Sequence, residues 1–302
     1  MPTYGRVRAF WAEALTLQGS VSRHIFLNVA ILTLFSYAIY LVDLWTPEWF
    51  DLKSALAPYE VAGAALSLLL ILRTNAGYDR WWEARKLWGG IVNQSRALGV
   101  IAVSTGRDNA EWREQVIRWT IAFCHVSRHS LRGEREIPEV SALLGPDAAK
   151  WLAGTRHMPS AVLAQLAILL RKAFDDQTLN FVSFKSAEEA RNWLLDHVGG
   201  CERILKSPLP KVYSINIRRF ILLFLGTLPF AMLHKIGPLA PLAQFLVAYP
   251  ILALDQTGVE LQNPFCLDNI GHLPLDDVCA TIEGDLLALA ADPGFRPGTL
   301  TR

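Results

Sequence analysis

Four stretches of the chain contain no Asp, Glu, Lys or Arg: Ile25–Val42, Val61–Leu72, Phe220–Leu233 and Ile236–Leu254. In lipid a backbone must satisfy its own polar groups, so apolar runs of this length predict membrane-spanning helices. The pattern places them at 25–45, 55–72, 214–233 and 238–254. The first, IFLNVAILTLFSYAIYLVDLW, would be about 31 Å long as a helix, enough to cross a hydrocarbon core of about 30 Å. Trp45 and Trp49 fall at its exit, where aromatic belts form. The second is short and begins near Pro58 and Glu60, so on length alone it also fits a buried core helix. The third starts with Arg218 and Arg219 and contains Pro229; the fourth contains Pro250. Each proline predicts a kink. The four-residue linker His234-Lys235-Ile236-Gly237 predicts that the last two helices form an antiparallel hairpin.

Between these runs the period changes. Trp112, Val116, Trp119, Phe123 and Val126 recur at spacings of three and four, the stripe of an amphipathic helix. Leu163, Leu166, Leu170 and Phe174 repeat it on a second helix. Pro138, Gly145-Pro146 and Ser207-Pro208 mark turns. There is no β-alternation and no internal repeat. The tail from Pro293 reads as a loose end.

Composition sharpens this division. The chain is 52% hydrophobic and 19% charged, against about 45–50% and about 25% in an average soluble domain. Of its 29 Lys and Arg and 28 Asp and Glu, 28 fall within residues 107–211, so the polar mass is concentrated in the middle. Arg6, Arg8 and Arg23 precede the first run, and Arg73, Arg80, Arg85 and Lys86 follow the second. The intervening loop holds Asp43, Glu48, Asp51 and only Lys53. The positive-inside rule therefore predicts both termini and the cytosolic helical regions, 73–213 and 255–302, in the cytoplasm, with the chain multi-pass in a cell (inner/plasma) membrane. A net charge of +1 gives no nucleic-acid footprint. Cys124, Cys201, Cys266 and Cys279 contain no Cys-x-x-Cys pair, arguing against a disulfide framework.

Enzyme signatures are missing: no Gly-x-Gly-x-x-Gly, no P-loop, no His-Glu-x-x-His and no Gly-x-Ser-x-Gly. His125 and His129 lie four apart and could share a helix face, but no third ligand has clear spacing, so no metal site and no cofactor are assigned. Asp175-Asp176 and Asp276-Asp277 read as cap or solvated-surface charges. Ala64, Leu68 and Leu72 stack on one face of the second run. Periodicity favours an ordinary packing stripe; if several copies surrounded an axis, the same residues would form apolar rings able to gate by dewetting. The tract after it, RTNAGYDRWWEARKLWGG, reads as a juxtamembrane collar carrying Arg73, Asp79, Arg80, Glu83 and Arg85, with an Arg80–Glu83 pair possible within one helix.

RTNAGYDRWWEARKLWG, then CERILKSPLP with YSINIRR, then NPFCLDNIGHLPLDDVCATIEGDL resemble, in order and over almost the whole chain, the bacterial branch of the bestrophin family. The resemblance implies an all-α membrane protein that forms a homopentamer around a central pore. Each subunit would be a single bestrophin-like domain over 1–302, with four transmembrane helices and a large cytosolic helical region. It implies an ion channel, with no catalytic residues, passing small inorganic ions across the lipid bilayer. By family analogy the ions are chloride or bicarbonate; a cation-selective channel is the alternative, since the family holds both. Counting back from the Arg-Trp-Trp motif, the neck falls on Leu72, Leu68 and Ala64. A cytosolic aperture falls on Leu209, with Ile204 as the other candidate. Bestrophin necks usually carry bulkier Ile and Phe, so Ala64 implies a wider ring or an altered gate. The acids Asp268, Asp276 and Asp277 are spread out, where animal members cluster theirs after Asn-Pro-Phe, which puts a Ca²⁺ clasp in doubt. A membrane enzyme built on His125 and His129, and a scaffold binding a cytosolic partner, are the readings from other classes.

Overall fold

The computed structural model describes residues 12, 21–45, 56–106 and 109–291. Arg6, Arg8, Glu48, Trp49, Asp51, Lys53 and the tail from Pro293 lie outside them. Among the described residues the chain is helical and contains no strand: α1 Ser22–Trp45, α2 Leu56–Thr105, α3 Ala110–Arg132, α4 Pro138–Leu144, α5 Pro146–Gly154, α6 Met158–Asp175, α7 Phe181–Lys206, α8 Lys211–Ile236, α9 Ala240–Glu260 and α10 Leu275–Ala291. Four helices are long and apolar enough to cross a membrane, at Ser22–Trp45, Pro58–Thr105, Lys211–Leu233 and Gly237–Glu260. The second departs most from the sequence expectation. It does not end at residue 72 but continues unbroken to Thr105. After Pro58 no proline interrupts it, and internal glycines cost only about 1 kcal/mol each.

The contacts divide the chain into two compact units. The first comprises Met1–Trp81, Pro208–Pro264 and Asp268–His272, the second Trp82–Ser207, Phe265–Leu267 and Leu273–Arg302. In the first unit, α1 packs chiefly on α9 and also on α8. Its core joins Leu66 and Leu70 of α2 to Ile217, Ile221, Phe224, Leu225 and Leu228 of α8 and Ala248 of α9. A one-turn 3-10 helix at Gly237–Leu239 closes the α8–α9 hairpin, starting from Gly237 at φ +50°.

Helix α8 runs through Pro229 and α9 through Pro250. Proline has no N–H, so Pro229 frees the carbonyl of Leu225, four residues back. Gln244 of α9, fully buried, fills that vacancy: its Nε2 donates to Leu225 O at 2.9 Å. This is the re-satisfaction of a freed carbonyl by a neighbouring helix that lets a spanning helix carry proline.

In the second unit, α3 is buried on every side from Thr120 to His129. It packs against α4, α6, α7 and α10. Trp112, Val116, Phe123 and Val126 are buried, as are Leu163, Leu166 and Leu170 of α6; Trp119 and Phe174 are half-buried. Asn109 caps α3 by accepting from Trp112 N, and Gly133 ends it at φ +76°. The four cysteines are free.

Candidate functional site

Helix α2 carries the site, and its orientation follows from its seam. In the first unit, Leu66, Leu70, Arg73 and Gly77 are buried; in the second, Ala84, Trp88, Ile91, Ser95, Leu98 and Ala102. The spacings alternate between four and three, with one step of seven, the 3.5-residue period of a helix keeping one face inward. Ala64 and Leu68 lie two positions from Leu66, and Leu72 two from Leu70, about 200° around the helix. They therefore point out of the subunit: Leu68 is 58% exposed and Leu72 52%, and Ala64 is exposed too. The open face is wider than these three, since Val61 and Ile71 are also exposed.

Immediately after Leu72 the helix is anchored. Arg73, the first residue of the tract read as a juxtamembrane collar, is buried. Its side chain is 1% exposed. Its Nη1 donates to Oδ1 of Asp255 on α9. The Oδ2 of the same carboxylate accepts from Arg218 Nε on α8 at 3.2 Å. Two guanidiniums thus share one carboxylate and tie three helices together. Four residues on, α2 crosses the end of α9 closely. A Cβ on Gly77 would lie 3.2 Å from Gly258 O and 3.1 Å from Leu261 Cβ, and one on Gly258 would lie 3.3 Å from Arg73 Cγ. Glycine at 258 makes room for the arginine, and glycine at 77 for the close approach of the α9 backbone.

The rest of the tract separates by role. Asp79 and Arg85 are exposed. Arg80 Nε donates to Gln262 O at 3.2 Å. Glu83 pairs with Arg203 of α7 at 2.5 Å rather than with Arg80, because this part of α2 has a partner helix the sequence could not indicate. Trp81 donates from Nε1 to Gly271 O at 2.7 Å and stacks on Tyr78; Trp82 is exposed and Trp88 wholly buried. Leu209, in the short connection between α7 and α8, is half-buried. Ile204 is only 3% exposed and faces the interior of its own subunit.

The two histidines belong to an ion-pair network. His125 Nε2 lies 2.9 Å from Glu283 Oε2. His129 meets Glu134 at 2.5 Å through Nδ1 and Glu139 at 2.9 Å through Nε2. Burial alone would raise the Glu139 carboxyl, but hydrogen bonds from Arg128 and His129 outweigh it and hold the group at about 2. Asp276 is engaged by Arg132 and Arg128; the Arg132 hydrogen bond first, against burial, lowers its pKa. Asp276 and Asp277 open α10, where acids complement the helix dipole, and Asp176 caps α6. Among the described residues no group of three or more His, Cys, Asp or Glu could hold a metal ion.

Fold and site together define an all-α membrane protein whose second spanning helix turns an apolar stripe outward just before a buried, helix-locking arginine. The model of the bacterial/fungal bestrophin family matches residues 4–288. The chain belongs to that family. It is 34% identical over 278 residues to a voltage-dependent anion channel-forming protein of Nostoc, spanning 90% of this chain and 89% of that one. It is 32% identical over 285 residues to the voltage-dependent anion channel-forming protein YneE of Escherichia coli, spanning 94% and 93%. Among solved structures, a bacterial bestrophin homologue from Klebsiella pneumoniae superimposes with a TM-score of 0.82 over 88% of this chain and 98% of that one, at 24% identity, which establishes the shared fold.

Proposed function

We propose that this chain is the subunit of a homopentameric anion channel in the cell membrane, with both termini cytoplasmic, and that Ala64, Leu68 and Leu72 of the five copies line its neck. The observation that carries the reading is the outward apolar stripe of α2 in a member of a family whose relatives are named anion channel-forming proteins. In a soluble protein such a stripe would need covering; around a symmetry axis it becomes a set of apolar rings. Such rings offer an ion no ligand. They set a width and a dewetting barrier, and selectivity comes from nearby charges and backbone dipoles. Passage is passive and needs no catalytic residue.

Leu209 is the aperture residue on this reading, because it is partly open to solvent whereas Ile204 is packed inside. The buried Arg73–Asp255 pair sits one residue beyond Leu72 and would hold the end of the neck in a fixed rotation. The test is the reversal potential of purified protein in a planar bilayer under a KCl gradient. A potential near the chloride equilibrium value supports the proposal. A potential near that of potassium would make the pore cation-selective, and a protein without ion flux would remove the channel reading altogether.

A further inference from the structure

A cavity of about 460 Å³ opens in the first unit between the start of α1, the start of α8 and the end of α9. Its size falls in the range of ligand pockets, about 300–1,000 Å³. Its lining is graded along the helix axes. Leu32 of α1, Ile221 and Leu225 of α8 and Leu252 of α9 form an apolar slot; Arg218, Asp255 and Gln256 close one end. That end is where α8 begins and α9 finishes, the edge of the spanning segments.

The charge at this end does not balance. Asp255 gives one oxygen to Arg73 and the other to Arg218, so the trio carries one positive charge in excess. Arg73 is sealed in, which leaves the excess on Arg218. That side chain is 56% exposed and reaches Asp255 through Nε, leaving its Nη groups for another acceptor. Arg23 and Arg219 are exposed at the same ends of α1 and α8; the acid at the end of α9, Glu260, is 6% exposed and meets His24 and Gln256 rather than Arg218. An apolar slot capped by an unbalanced guanidinium at the membrane edge matches a molecule with an acyl chain and an anionic head.

We propose that this cavity binds an anionic phospholipid of the bilayer, one acyl chain lying along Leu32, Ile221 and Leu252 and the headgroup phosphate at Arg218. A surface cation contributes about 1 kcal/mol to anionic-lipid binding, roughly a fivefold preference.

The experiment uses the full chain, purified in mild detergent and reconstituted into nanodiscs of equal phosphatidylglycerol and phosphatidylcholine, with retained lipid counted by native mass spectrometry. The wild type should retain phosphatidylglycerol roughly fivefold over phosphatidylcholine. Arg218→Gln should abolish the preference, and Arg218→Lys should keep most of it. Arg219→Gln, an equal change of charge one residue outside the cavity, should leave it intact. Leu252→Trp, which narrows the slot without touching charge, should reduce retention of both lipids. Equal loss in Arg218→Gln and Arg219→Gln would mean diffuse attraction and overturn the site. So would a wild type that shows no preference, or retains no lipid because a neighbouring subunit fills the slot.

Discussion

Replacing Asp255 by alanine should be among the most damaging single changes in the first unit, and the arithmetic rests on who is left unpaired. Arg73 is 1% exposed and Asp255 9%. Without Asp255 the Arg73 guanidinium is a buried charge with no carboxylate, and breaking a buried pair in this way costs about 3–5 kcal/mol. Arg218 adds little, since at 56% exposure it is compensated by solvent, and exposed pairs contribute about 0–1 kcal/mol. Arg73→Met is expected to behave quite differently. It removes the buried cation, keeps an apolar stem, and leaves Asp255 still paired with Arg218, so neither residue is left as a buried charge without a partner. The expected order is therefore a loss of about 3–5 kcal/mol for Asp255→Ala and about 1 kcal/mol or less for Arg218→Gln or Arg73→Met. Combining Arg73→Met with Asp255→Ala should recover most of the stability lost by Asp255→Ala alone. Titration of the detergent-solubilised variants with SDS, followed by tryptophan fluorescence, measures each difference. If Arg73→Met costs as much as Asp255→Ala, or the double variant shows no recovery, the charge-balance reasoning is wrong.

Leu68→Ala or Leu72→Ala, at exposed positions, should leave stability within about 0.5 kcal/mol of wild type while changing conductance or gating in bilayer recordings; unaltered currents in both would remove these residues from the neck. Gln244→Leu strands the Leu225 carbonyl freed by Pro229 and should destabilise by about 1 kcal/mol, read by the same SDS titration; no change would mean that carbonyl has another partner. Glu139 is depressed from 4.5 to about 2, so its stabilising contribution is present above pH 4.5 and lost as pH falls from there toward 2. The melting temperature of Glu139→Gln should accordingly start lower at neutral pH and fall less steeply than wild type over that window; parallel curves would exclude the carboxylate as the source.

Much of the architecture was legible along the chain. The charge-free runs located four spanning helices because lipid penalises every unpaired backbone group alike. The spacings of three and four at Trp112–Val126 and Leu163–Phe174 located the apolar stripes of α3 and α6, because a helix packed on one side keeps that face from water. The face of Ala64, Leu68 and Leu72 was also legible, as a face; that it turns outward depends on the opposite seam at Leu66, Leu70 and Arg73 being the one that packs.

Where partners are far apart in sequence, the chain by itself was silent. Arg73 reads as a juxtamembrane cation by any local rule, and only α9 brings Asp255, 182 residues away, to bury it. Gln244 reads as a polar blemish in an apolar run until Pro229 is seen to leave it a carbonyl. Glu83 pairs with Arg203 rather than its helical neighbour Arg80, and the histidines of α3 meet glutamates from a following loop, α4 and α10. Periodicity reports which side of a helix avoids water. Which buried polar atom meets which is decided by the packing of distant segments, where leaving a charge or carbonyl unpaired costs more than any local preference.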